Sequence, residues 1–309
     1  MPPVTTAGFA NHMAPGLRGI IGTNLGGRES FYSKLYNVET SQRNYEDYLA
    51  GVGLPIASIK PQGVNIVSYD PVEGTTKRMT PVVYAVGMEV SAEAWDDDLY
   101  ANKGSAIRDG ANGIADSLAE RVEIEAHIPW TTVGFGTTVF SVLPDNSAFF
   151  STTHAPITGA QGVTQSNTPT VAVDLTVTSY RAGFTQFRKY KNDQGLRIPG
   201  ISQPVKLIVS PDEEYNAYEI IRSPDRPDTA NRAINVSPNA TVVCDPYLSD
   251  DPDAWFLQSA KHYAYFLWRW RPMLDSFDDR RARVAVHVGL VRFSAQPVHW
   301  LGNYGSPGA

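Results

Sequence analysis

The stretch from Val82 to His127 constrains this chain more than any other. It opens with Val82-Val83-Tyr84-Ala85-Val86-Gly87-Met88-Glu89-Val90, a run rich in β-branched residues that reads as a strand. From Lys103 the pattern changes: Ile107, Ala111, Ile114, Leu118, Val122 and Ala126 recur at steps of three and four, one stripe of a helix that ends at His127. The opposite face carries Arg108, Asp109, Asn112, Asp116, Glu120 and Glu123, and Arg121 stands at helical spacing from Ser117 and Glu125. At about 1.5 Å per residue such a helix is roughly 35 to 40 Å long. Gly110 and Gly113 each weaken it by about 1 kcal/mol relative to alanine, so packing must hold it. Between strand and helix, Ser91 offers an N-cap to a short helix through Trp95 and Leu99. A long strand feeding a long, one-faced helix is a spine.

The rest of the chain is rich in strands and loops, as 22 prolines and 25 glycines in 309 residues suggest. Residues 1–50 read as an arm without a core. Pro61–Tyr69 and Thr76–Val90, on either side of the turn cluster Asp70-Pro71-Val72-Glu73-Gly74, read as a long β-hairpin that needs a partner surface, since an isolated two-stranded ribbon is marginal in water. Thr138–Val142 is strand-like, and a helix is expected from about Ser179 to Lys191 with Thr178 as its cap. Val205–Val209 is a strand by composition, Ser210-Pro211-Asp212-Glu213 a helix start, and Ala233–Val236, Ala240–Cys244 and Trp255–Leu257 further strands. Residues 163–260 therefore form a compact α/β unit.

Two long strands close the chain, Lys261–Arg271 and Arg283–His299, with Pro272–Asp279 between them. A bulge is expected where the alternation of the second slips, near Gly289–Val291. By period two, Trp268 and Trp270 share a face.

The composition excludes several kinds of function. With 42% apolar residues the chain can fill one or two cores, but no apolar run is long enough to cross a bilayer. A soluble protein without membrane partners is expected. Met1–Thr6 lacks the basic start and apolar block of a secretory signal. The single cysteine, Cys244, rules out an internal disulfide and a multi-cysteine metal site, and reads as a small buried residue rather than a nucleophile. A net charge of −6 argues against gripping nucleic acid through a broadly basic surface.

No catalytic, cofactor or metal residue is assigned. Neither a Gly-x-Ser-x-Gly elbow, a phosphate-binding loop nor a His-Glu-x-x-His pair occurs, and Gly134-Phe135-Gly136 lacks the third glycine of a dinucleotide site. The histidines, His12, His127, His154, His262, His287 and His299, are scattered without metal-ligand spacing. His127 suits a helix C-terminus. His154 is the best candidate for a special role, with ordering of its loop the simpler reading. Asp96-Asp97-Asp98 and Asp250-Asp251-Pro252-Asp253 lack the spacing of a calcium loop and read as solvated turns or caps. Trp268 and Trp270, flanked by Arg269 and Arg271, invite a base-stacking platform, but core or subunit packing explains them better.

An arm, a long weak hairpin, a spine helix, an inserted α/β unit and closing strands resemble the major capsid protein of tailed bacteriophages, an α+β fold of the Hong Kong 97 type. Within it the chain is most similar to the Mu-like major head subunit family. The likeness rests on Phe149-Phe150-Ser151-Thr152-Thr153-His154-Ala155-Pro156, on Lys189–Gly195 followed by Val205–Pro211, and on Asp253-Ala254-Trp255-Phe256-Leu257.

The resemblance implies a non-enzymatic head subunit, made in the host bacterial cytoplasm and housed in the virion. It implies hexamers and pentamers of an icosahedral shell around packaged double-stranded DNA, which the shell meets only non-specifically. The implied partners are the protein itself, a scaffold protein, a portal and decoration proteins. Residues 1–50 correspond to the N-terminal arm and 51–81 to the extended loop. Residues 82–162 form the peripheral domain with spine helix 103–127, 163–260 the axial domain, and 261–309 the closing strands. The resemblance assigns no role to Lys60 or Lys77. Other readings are a tail or decoration protein of the same virion, or a hydrolase using His154.

Overall fold

The computed structural model describes residues 29–49, 52–91, 93, 103–198, 200–201, 204–226, 228, 233–279 and 281–309. Its strands are β1 (Asn37–Thr40), β2 (Glu46–Leu49), β3 (Thr76–Met79), β4 (Val82–Ser91), β5 (Pro204–Val209), β6 (Thr241–Cys244), β7 (Trp255–Ser259), β8 (Ala264–Asp279), β9 (Val284–Pro297) and β10 (Asn303–Ser306). One sheet has the order β1-β8-β9-β4, a second the order β10-β7-β5-β6, and β2 pairs with β3 alone. The expected arm lies, up to Arg28, outside the described residues, as does the expected short helix after Ser91.

The spine helix spans Lys103–His127 and lies on the first sheet, against β4 and β9. Its stripe is the one the 3.6 period picks out: Ala111, Ile114, Leu118, Val122 and Ala126 are all buried. Glu123 departs from expectation, since it is buried rather than on the polar face. Opposite the helix, Ala285, His287, Gly289, Val291 and Phe293 of β9 are buried in strict alternation. The expected slip at Gly289–Val291 is therefore absent. Gly289 lets the helix come close, because a Cβ there would overlap Ile114 and lie 2.9 Å from Leu118.

The irregularity sits on β8 instead. Its register against β9 shifts between Trp268 and Trp270 and again between Trp270 and Met273. Each shift adds a residue to β8, and an added residue reverses which face the following side chains occupy. Trp268, opposite Phe293, is buried, while Trp270, opposite Arg292, is exposed. The two tryptophans do not share a face and make no platform. Pro272–Asp279, expected as a connection, is the outer half of β8.

The second sheet forms the α/β unit. Parallel β5 and β6 are bridged by a helix over Glu214–Arg222. The helix Val177–Lys189 begins two residues before its expected start, with Thr176 and Ser179 forming a reciprocal cap. It buries Tyr180, Phe184 and Phe187, and the close approach of Gly183 to Leu257 and Tyr304 places it on β7 and β10. β10 comes from the chain's end, beyond the residues expected for this unit. Ser210 accepts from Glu213 N at 3.4 Å, yet the helix itself begins at Glu214 without a side-chain cap. Ala233–Val236 makes only a bridge between Ile234 and Asp225, and Thr138–Val142 is a turn, not a strand.

The hairpin is also built differently. Residues 61–69 form no strand; Thr76–Met79 pairs antiparallel with Glu46–Leu49, and Val82–Ser91 pairs with β9. The β2–β3 ribbon rests on its own subunit, with Met79 packed against Leu267 and Val298 and Tyr48 stacked on Tyr265 at 4.7 Å.

The two spine glycines differ in their surroundings. A Cβ at Gly113 meets nothing within 4 Å, whereas one at Gly110 overlaps Met88. Gly113→Ala should stabilise the subunit by about 0.5–1 kcal/mol through helix propensity alone. Gly289→Val should cost about 1–3 kcal/mol through overpacking against the spine. Urea denaturation of the two variants checks both signs.

Candidate functional site

The candidate functional surface begins where the β2–β3 ribbon opens. Residues 52–75 connect the two strands without regular structure, tied down at their start by buried Val52. Leu54, Ile56, Ile59, Val64, Ile66 and Val67 along it are exposed, Ile59 by 93%. An apolar set of this size on one loop is more than the ordinary scatter of single exposed apolar residues on a surface. Lys60 is exposed on the same loop, whereas Lys77 on β3 donates to Val142 O at 2.6 Å and burial lowers its pKa.

A buried polar cluster fixes the C-terminal end of the spine. Nδ1 of His127 lies 2.6 Å from Glu123 O, and Nε2 lies 2.7 Å from Oδ2 of Asp245, which follows β6. Tyr247 stacks on the imidazole at 4.8 Å. Burial pulls the His127 pKa down, but the Asp245 carboxylate beside it and the Glu123 carbonyl prevail, and the net shift is upward. Both ring nitrogens thus face acceptor oxygens, the Glu123 carbonyl on one side and the Asp245 carboxylate on the other. Glu123 accepts from the backbone N–H groups of Phe31 and Tyr32 at 3.1 and 2.9 Å, while burial raises its own pKa. The sequence placed His127 at a helix end but gave no sign of Asp245, which lies far along the chain.

His154 sits in a second buried cluster. Its Nδ1 faces both Ser147 Oγ at 2.8 Å and Asp145 Oδ2 at 3.0 Å, Nε2 faces Asn167 Oδ1 at 3.0 Å, and the ring stacks on Trp300 at 4.8 Å. A nucleophile–base–acid relay needs the serine and the carboxylate on opposite ring nitrogens. Here both share one, and the side chain is buried, so the arrangement locks the loop 145–154 to Asn167. Burial raises the Asp145 pKa, but hydrogen bonds from His154 and Ser147 outweigh it and bring it below the usual carboxylate value.

The remaining candidates are dispersed. Burial lowers the pKa of His262 and of His299 to about 4 in each case, so these two rings are neutral parts of the packing, and burial also lowers that of His287. Cys244 is half-buried, and burial with Glu214 beside it pushes the thiol up to about 11, away from thiolate chemistry. Asp251 accepts from Thr132 N at 2.8 Å, joining the acidic turn to the end of the spine. Asp96–Asp98 and His12 lie outside the described residues. Among the described residues no cluster of three His, Cys, Asp or Glu is arranged to hold a metal, and no helix is long and apolar enough to cross a membrane.

Comparison with known proteins adds the family. A family model described as phage capsid protein matches residues 74–295. No curated protein matches the chain. Among solved structures, the chain is similar to the capsid of a native GTA particle, with 9% identity, 90% of each chain covered and a TM-score of 0.54. It is also similar to the procapsid of bacteriophage JBD30, with 11% identity, 99% of this chain and 76% of that chain covered, and a TM-score of 0.51. The third is Gordonia phage Cozz, with 15% identity, 90% and 85% coverage and a TM-score of 0.51. At these identities the likeness is one of fold.

The His127–Asp245 pair carries a pH signature. Because folding raises the pKa of His127, its contribution is complete below the unfolded value of about 6.5 and is lost as pH rises through the higher folded value. Asp245→Asn should cost about 3–5 kcal/mol in slightly acidic buffer, as for a buried pair stripped of one partner. The gap from the unaltered protein should narrow toward alkaline pH. Urea denaturation across that range reads it directly, and parallel curves would remove the pair as the cause.

Proposed function

This chain belongs to the phage capsid protein family and serves as a major capsid protein, with the mixed α+β fold of the Hong Kong 97 type; from that premise we propose how its copies interlock. They form hexamers and pentamers that close into an icosahedral shell around packaged double-stranded DNA. The observation that carries this reading is the loop 52–75, whose exposed apolar residues have no core of their own and are held at one end of a ribbon docked on the parent subunit. Burying each such side chain in a contact contributes about 1.5–3 kcal/mol, and a repeated contact of this kind adds up over a shell.

In this proposal residues 51–81 form the extended loop that lies over a neighbouring copy, following the 1–50 arm. Residues 82–162, with the spine, and the strands of 261–309 form the peripheral domain. Residues 163–260 form the axial domain around each capsomer's centre, joined by β10 from the chain's end. The subunit is made in the host bacterial cytoplasm and assembles with a separate scaffold protein, a portal and decoration proteins. Its DNA contact is non-specific, in keeping with a net charge of −6. A structural rather than catalytic role is supported by the geometry around His154, where serine and carboxylate share one nitrogen. Of the motif Phe149–Pro156 that suggests the Mu-like branch, Phe149, Phe150 and His154 are buried and Thr152, Thr153 and Ala155 are exposed, an arrangement compatible with that placement.

The test follows from the ribbon. Met79 is buried, so the loop must be shortened without touching β3. Replacing residues 54–73 with a short Gly-Ser linker should leave far-ultraviolet circular dichroism and solubility close to those of the full chain. Under conditions where the full chain gives closed shells in negative-stain micrographs, with scaffold supplied, the shortened chain should give none. Closed shells from it would refute the loop assignment.

A further inference from the structure

The C-terminal half of the spine helix, the first described residues and the turn after β6 enclose an open groove of about 730 Å³. Its lining includes the apolar and aromatic side chains of Phe31, Ile124 and Tyr247 and the carboxylates of Glu29, Glu120 and Asp250. No lysine or arginine lines it. Lys34 pairs with Glu29 and lies over the Phe31 ring at 4.4 Å, so Glu29 is already met by a lysine, while Tyr247 donates to Glu120 at 3.0 Å. Ile124 is 44% exposed although Glu123 and Glu125 on either side of it are buried. A large apolar side chain therefore faces water between acidic groups, where a polar one would be expected on a solvated helix face.

The sequence that precedes Glu29 has the complementary chemistry. Residues 1–28 contain no aspartate or glutamate, carry Arg18 and Arg28, and hold Leu17, Ile20, Ile21 and Leu25. The described chain starts at Glu29, which itself lines the groove and is joined directly to Arg28 in sequence. A stretch from Gly16 to Arg28 reaches at most about 45 Å when extended, more than a groove of this size requires. Its composition gives it no core, and an apolar segment without one is ordered by docking on a matching surface.

We propose that Gly16–Arg28 docks in this groove of its own chain, its isoleucines against Ile124 and Tyr247 and its arginines toward Glu120 and Asp250. The docked segment covers the end of the spine above the His127–Asp245 pair. This docking does not depend on shell formation, and it goes beyond the role of the loop 52–75.

Trypsin cleavage after Arg18 in the full-length chain, kept dilute and unassembled and followed by mass spectrometry, tests it. The rate tracks the undocked population when docking is fast. Two variants weaken the contact from opposite sides: Ile124→Asp with Asp250→Lys in the groove, and Ile20→Asp in the segment. Each should speed cleavage after Arg18 about tenfold, the change that ~1.4 kcal/mol of docking free energy gives. Thermal melting of the Ile20→Asp chain should stay that of an intact fold, so this variant decides the matter if the groove variant folds poorly. Equal rates in all three proteins would overturn the proposal. So would protection that vanishes on tenfold dilution, which would assign the groove to the segment of a second copy.

Discussion

The subunit depends on one joint, the C-terminal end of the spine helix. Immediately after His127 the chain tightens into a 3-10 turn that delivers Trp130, fully buried, into the space between the two sheets. Edge-on contacts surround it: Tyr36 at 6.3 Å, Phe149 at 5.5 Å, Phe150 at 5.9 Å and Phe256 at 5.6 Å. Such pairs contribute about 0.5–1.5 kcal/mol each beyond their burial. Phe256 belongs to β7 of the α/β unit, and Tyr36 precedes β1 and donates to Ala126 O at 2.6 Å. With His127 bound to Asp245, the helix end is fastened to the α/β unit by apolar and polar contacts together. One continuous core therefore runs from the spine into both sheets.

That joint explains how the chain can be closely packed in its middle while leaving apolar side chains exposed at its edges. The spine, β4, β8 and β9 form a long two-layer body whose helix side is filled, and Gly289 sets how closely helix and sheet meet. The other side of the same sheet leaves Met273 and Phe277 exposed, while the bulges on β8 turn Trp270 outward with the Arg292 guanidinium over its ring at 5.4 Å. The loop 52–75 adds exposed leucine, isoleucine and valine side chains. A monomeric protein of this size would ordinarily avoid such surfaces.

Much of this body was legible in the residues. The spine's limits and its buried stripe follow from periodicity, because a helix repeats its environment every 3.6 residues and needs no distant information to do so. β4 is legible in its β-branched run for a similar reason. Strand partners were less so. The segment Thr76–Met79 has the same composition whether it continues a hairpin with residues 61–69 or joins Glu46–Leu49, and only the anchoring of Met79 on Leu267 and Val298 chooses. The alternation of β8 looked unbroken through Trp268 and Trp270, since a bulge leaves no mark in a period-two pattern until the partner strand is known.

The sequence by itself determined the spine, β4, most strands of the α/β unit and the lack of a recognisable catalytic motif, all of them local patterns of residue type. Tertiary structure decided which strands pair, that Glu123 is buried as an acceptor for Phe31 and Tyr32, and that His127 meets Asp245. It also set His154 between Asp145, Ser147 and Asn167 as a lock on its loop. These contacts join residues whose neighbours along the chain say nothing of each other, and the free energy of closing long loops is recovered only when the whole core forms.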